Sequence, residues 1–71
     1  MSFYHYVQIH RGKLEPSDIS MLAENIFEDL QFPKQETTYH KLSDYLETNA
    51  YYVTNMDVFD ELWEMYVEAT R

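Results

Sequence analysis

A chain of 71 residues with 13 acidic and 5 basic side chains, and a formal charge of −8, reads as one small acidic domain spanning residues 1–71. That charge opposes binding to nucleic acid and anionic lipid. The absence of cysteine excludes disulfides and thiolate metal sites.

A domain this short hides only about 60% of its unfolded surface. Its 45% hydrophobic and 17% aromatic content offsets that, since each large apolar side chain stabilises by roughly 1.5–3 kcal/mol when fully buried. No basic-then-apolar leader is present, and no apolar run approaches the ~20 residues of a spanning helix. The expectation is a soluble, cytoplasmic chain with no membrane partner.

Ser2 to Gly12 reads as a short first helix, with Ser2 as N-cap and Gly12 at the left-handed position past its end. Phe3, Tyr6, Val7 and His10 share a face, although the alternation of Tyr4 and Tyr6 also fits a strand. Lys13 to Pro16 is a connector, and Ser17 or Asp18 caps the next helix. Ile19, Leu22, Ala23, Ile26, Phe27 and Leu30 then recur at helical spacing, predicting a second amphipathic helix with Met21 at the edge of its stripe. Pro33 ends that helix, and Phe32 is expected to fold back into the core.

A third helix is predicted from Thr37 or Thr38 through Leu46, with Tyr39, Leu42, Tyr45 and Leu46 on one side. Its His40 stands four residues from both Glu36 and Asp44, on the wet face. Asn49 serves as a stop, and Ala50 to Val53 as a bridge. The last helix occupies Asn55 to Arg71. Phe59, Leu62, Trp63 and Tyr66 form its apolar face, widened by Val58, Met65 and Ala69. Thr54 or Asn55 can cap it, with Asp57 completing a box with Thr54. Phe59, Leu62, Trp63 and Tyr66 are expected to pack against Ile19, Leu22, Ile26 and Phe27.

Several short stretches also succeed one another at a familiar spacing: Ser2-Phe3-Tyr4, Arg11-Gly12, Phe32-Pro33-Lys34, Leu42 to Glu47, and Val58-Phe59-Asp60 with Trp63 and Tyr66. Together they resemble the YozE family, small proteins of Gram-positive bacteria with a fold like that of the sterile alpha motif (SAM-like). The likeness runs over essentially the whole chain. It implies an all-α, SAM-like bundle of four to five helices with a long C-terminal helix. It supplies no activity, and so no catalytic residue. SAM-like folds in general serve protein association, and some bind nucleic acid; extending either role to this chain is fold-level analogy.

Little in the residues points to catalysis. His5 and His10 would lie about 140° apart on a helix and cannot easily share an ion, so no metal is expected. There is no Gly-x-Ser-x-Gly and no glycine-rich phosphate loop. No enzyme activity, cofactor or small-molecule substrate is expected. Phe27, Phe32, Phe59 and Trp63 are assigned to the core. Tyr4, Tyr39, Tyr51, Tyr52 and Tyr66 are placed at its edge, ring inside and hydroxyl in water.

The acidic face of the last helix, Asp57, Asp60, Glu61, Glu64 and Glu68, is either a solubilising surface or a docking strip. With Tyr51 and Tyr52 it is the candidate surface for a basic protein partner or for self-association. The alternative is a nucleic-acid patch of Arg11, Lys13, Lys34 and Lys41, which the overall charge disfavours.

Overall fold

The computed structural model describes residues 1–12 and 17–71. Within them the chain forms α1 (Phe3–Val7), a 3-10 turn (Gln8–His10), α2 (Asp18–Glu28), α3 (Tyr39–Asn49) and α4 (Met56–Thr70). All elements are helical, the C-terminal helix is the longest, and Tyr4 and Tyr6 lie in a helix rather than a strand. Lys13 and Pro16 lie outside the described residues.

The ends of the helices reflect side-chain chemistry. Ser2 accepts a hydrogen bond from the His5 amide at 3.2 Å, and Gly12 adopts φ +71°, the left-handed conformation that a Cβ disfavours. Ser17 caps α2, and the Ser20 hydroxyl reciprocates by accepting from the Ser17 amide at 2.8 Å. The α4 cap is Asn55, which accepts from the Asp57 amide at 2.9 Å; the box expected between Thr54 and Asp57 is not formed. Before α3, the Glu36 carboxylate accepts from the amides of Thr37 and Thr38. That engagement draws Glu36 out of the helix, so His40 pairs only with Asp44, at 3.2 Å.

The core gathers around Phe3, which is fully buried. Its ring meets Phe59 and Tyr66 edge-on, each at 5.5 Å between centroids, and lies tilted 5.7 Å from Trp63. Leu22, Ala23 and Ile26 of α2, Leu42 and Leu46 of α3, and Phe59 and Leu62 of α4 complete it, with Phe32 folded in from the α2–α3 loop. Tyr66 is buried as well, and its hydroxyl donates to the Met1 carbonyl at 2.7 Å. It therefore belongs to the interior rather than the edge. That bond fastens the beginning of the chain to α4.

Several expected burials are corrected. Phe27 is 38% exposed, because the buried line of α2 runs through Leu22, Ala23 and Ile26, leaving Phe27 on the flank. There the Arg11 guanidinium covers its ring at 3.4 Å. Ile19 and Trp63 are half-buried and pack on the rim of the core. Leu30 is 84% exposed because α2 stops at Glu28, two residues before it.

The early stop has a cause in tertiary structure. Asp29 turns to extended geometry, and its Oδ2 accepts from the hydroxyls of Tyr45 at 2.6 Å and Tyr52 at 2.8 Å. Its Oδ1 accepts from the Gln31 amide at 3.0 Å. One carboxylate thus staples the end of α2 to α3 and to the α3–α4 connector. Burial pushes the Asp29 carboxyl upward, but these donors outweigh it and hold its pKa below the ordinary 3.8. Burial and the same carboxylate push the Tyr45 phenol up to about 12 and Tyr52 higher still.

Two consequences for stability are measurable. Phe3→Ala should cost about 3–5 kcal/mol in urea unfolding, enough to unfold much of a domain this small, whereas Phe27→Ala should cost about 1 kcal/mol or less. A folded-state pKa below the unfolded value means Asp29 stabilises above pH 3.8 and loses that contribution as pH falls through the folded value. Asp29→Asn should therefore lower stability by about 1 kcal/mol at neutral pH, and should flatten the fall in urea midpoint that the native protein shows as pH drops below 3.8.

Candidate functional site

Two surfaces gather charged and aromatic side chains beside open grooves. The first is the outer side of α4. Asp57, Asp60, Glu61, Glu64 and Glu68 are all exposed there, placed by the helical repeat opposite Phe59, Leu62 and Tyr66. Glu68 is paired with Arg71 at 3.3 Å. The other four make no ion pair among the described residues.

Beside this strip, Tyr39 of α3 stacks on Phe59 at 5.5 Å and meets Trp63 edge-on at 5.4 Å. Its hydroxyl donates to Asp60 Oδ1 at 2.5 Å. Tyr39, Asp60, Trp63 and Glu64 together line an open groove of about 390 Å³. The hydrogen bond to Asp60, reinforced by burial, raises the Tyr39 pKa and keeps the phenol neutral. The groove thus offers two aromatic rings beside two carboxylates, a setting suited to an ammonium or guanidinium group.

The second surface lies between α2 and the α3–α4 connector. Asp18, Met21, Asn25, Tyr52 and Asn55 are among the residues lining an open groove of about 310 Å³. A neighbouring groove of about 420 Å³ is lined by Asn25, Glu28, Asp29, Leu30, Tyr51 and Tyr52, among others. Asn25 and Tyr52 border both.

The two surfaces divide the residues that the sequence grouped together. Tyr51 and Tyr52 line the α2 side, while Asp60 and Glu64 line the α4 groove, which shares no lining residue with the two grooves beside α2. Tyr51 is 91% exposed, and Tyr52 is half-buried with its hydroxyl on Asp29. Sequence reasoning missed the pairing of Tyr39 with Trp63, which lie on different helices 24 residues apart. It also missed Asp29, whose role depends wholly on hydroxyls from Tyr45 and Tyr52.

Of the basic residues, Arg11 donates from Nε to Glu24 at 2.5 Å while covering Phe27. Its charge is matched locally. Lys34 lies 5.7 Å from the Tyr4 ring centroid, Lys41 is exposed on α3, and Lys13 lies outside the described residues. His10 Nε2 sits 3.2 Å from the Tyr6 hydroxyl and stacks edge-on against that ring. No cluster of three His, Asp or Glu side chains able to hold a metal ion occurs among the described residues. Among those residues, too, no helix is long and apolar enough to cross a membrane.

The sequence matches a family model described as the YozE SAM-like fold over residues 2–68. A UPF0346 protein of Enterococcus faecalis is 52% identical over 70 residues, covering 99% of this chain and 96% of its own. A UPF0346 protein of Staphylococcus saprophyticus is 48% identical over 67 residues, covering 94% of this chain and 89% of its own. The UPF0346 protein YuiB of Lactococcus lactis is 44% identical over 69 residues, covering 97% of this chain and all of its own. None of these names states an activity. With a helical fold closed on Phe3 and a match running almost from end to end, this chain belongs to the YozE family of SAM-like proteins.

Proposed function

We propose that this protein is a non-enzymatic protein-interaction module whose partner presents basic side chains to the outer face of α4. The observation that carries the reading is the groove that Tyr39 and Trp63 line together with Asp60 and Glu64. Carboxylates alone would only solubilise. An aromatic floor beside them adds a surface that a cation can lie against, and a lysine or arginine stem can cover it with methylenes. Asp57, Glu61 and Glu68 extend the negative field along the helix and favour fast encounter with a positively charged partner.

Self-association through this face would bring like charges together, and the overall charge of −8 works against it. The grooves on both surfaces are open, without the enclosed apolar cavity that small-molecule sites favour. For the nucleic-acid alternative, Arg11 already faces Glu24, and the overall charge of −8 works against a polyanion.

Trp63 is the single tryptophan and sits in the proposed groove, so the protein carries its own reporter. Titration with an octa-arginine peptide at low salt should change its fluorescence, and the change should fade as salt rises. Asp60→Asn combined with Glu64→Gln should weaken binding about fivefold, as expected for two exposed charge contacts. Unchanged Trp63 emission, or binding indifferent to both salt and the double substitution, would rule this face out.

A further inference from the structure

The paired grooves along α2 have no part in binding at the α4 face. They run beside the helix from Asp18 to Glu28, a length of about 15 Å, or nearly three helical turns. Three of the large hydrophobic side chains most exposed on the protein stand along them: Met21 at 55%, Leu30 at 84% and Tyr51 at 91%. Scattered exposed apolar residues are ordinary, but Met21 on one groove with Leu30 and Tyr51 on the adjoining one mark a contact surface. The far wall is held in place, because the Tyr45 and Tyr52 hydroxyls are fixed on Asp29.

From this arrangement we infer that the α2 groove seats an amphipathic helix of a partner protein, apolar on the buried side and flanked by lysine or arginine. Charge selects this occupant. Asp18, Glu28 and Asp29 line the grooves, and among the described residues no lysine or arginine does. A second copy of this chain would bring a net charge of −8 to the same carboxylates, and its longest helix, α4, is itself acidic. Length selects the form. About three turns of helix match a helix-in-groove contact, in which apolar side chains two turns apart lie over Met21 and against Leu30 and Tyr51 while basic flanks reach Asp18 and Glu28. The described residues contain no strand whose edge an extended peptide could join. This surface is separate from the α4 face, so the two proposals stand or fall on different residues.

The test uses the full chain labelled with 15N and a 14-residue leucine/lysine peptide with leucines at helical spacing. A second peptide with serine replacing leucine keeps the charge. The leucine peptide should shift the amides of Met21, Asn25, Tyr51 and Tyr52. Read at those four amides, Met21→Ser, Leu30→Ser and Tyr51→Ser together should weaken the contact at least tenfold, while Asp60→Asn with Glu64→Gln should leave the shifts at those amides in place. The three substituted side chains are exposed, and an unaltered melting temperature would confirm an intact fold. Should the triple variant fail to fold, Leu30→Ser alone and the shift map decide. Equal shifts at those amides from the serine peptide, shifts confined to the acidic side of α4, or no shift at all would overturn the proposal. So would a dimer in sedimentation that the triple substitution dissolves, since it would make a second copy the occupant.

Discussion

The structure depends on the burial of one ring near the start of the chain against the helix at its end. Phe3 lies in a helix of only five residues, too short to persist on its own in water. It is held because Phe59, Trp63 and Tyr66 close around its ring, and because the Tyr66 hydroxyl takes the Met1 carbonyl. Edge-on and tilted aromatic contacts are directional as well as apolar, so this joint fixes the angle between α1 and α4 more tightly than aliphatic packing would. The remaining helices close over that joint through Leu22, Ile26, Leu42 and Leu46.

Periodicity made the three longer helices legible, along with most of their buried sides. Leu22, Ala23, Ile26, Phe59 and Leu62 could be assigned to the interior because a 3.6-residue repeat leaves them little choice. The return of Phe32 was legible too, since a large ring beside a proline turn has few places to go. What the repeat cannot rank is which residue of a wide stripe meets the deepest point of the core. The repeat marks Phe27 for the core and Phe3 only as one member of a short helical face. Only the crossing of α1 over α4 makes one of them central, and only the nearness of Arg11 gives the other a cover at the surface.

The candidate surfaces were less legible, for a related reason. A stripe of carboxylates is visible on one helix, but its aromatic neighbour Tyr39 comes from another. Tyr51 and Tyr52 join the acidic strip in sequence reasoning because edge tyrosines are common at interfaces. The connector instead turns them toward α2, where Asp29 captures Tyr52. An aspartate just past a helix is an ordinary sequence feature. Its importance arises from two hydroxyls delivered 16 and 23 residues later in the chain.

Both phenols converge on the same oxygen of that aspartate. An acceptor shared in this way is tolerant of a single loss, because the remaining donor can shorten its bond and keep the charge anchored. Replacing either tyrosine by phenylalanine would therefore be a mild lesion, and replacing both a severe one. Such non-additivity would let this corner of the molecule drift in sequence one ring at a time without the concavity beside it opening or closing.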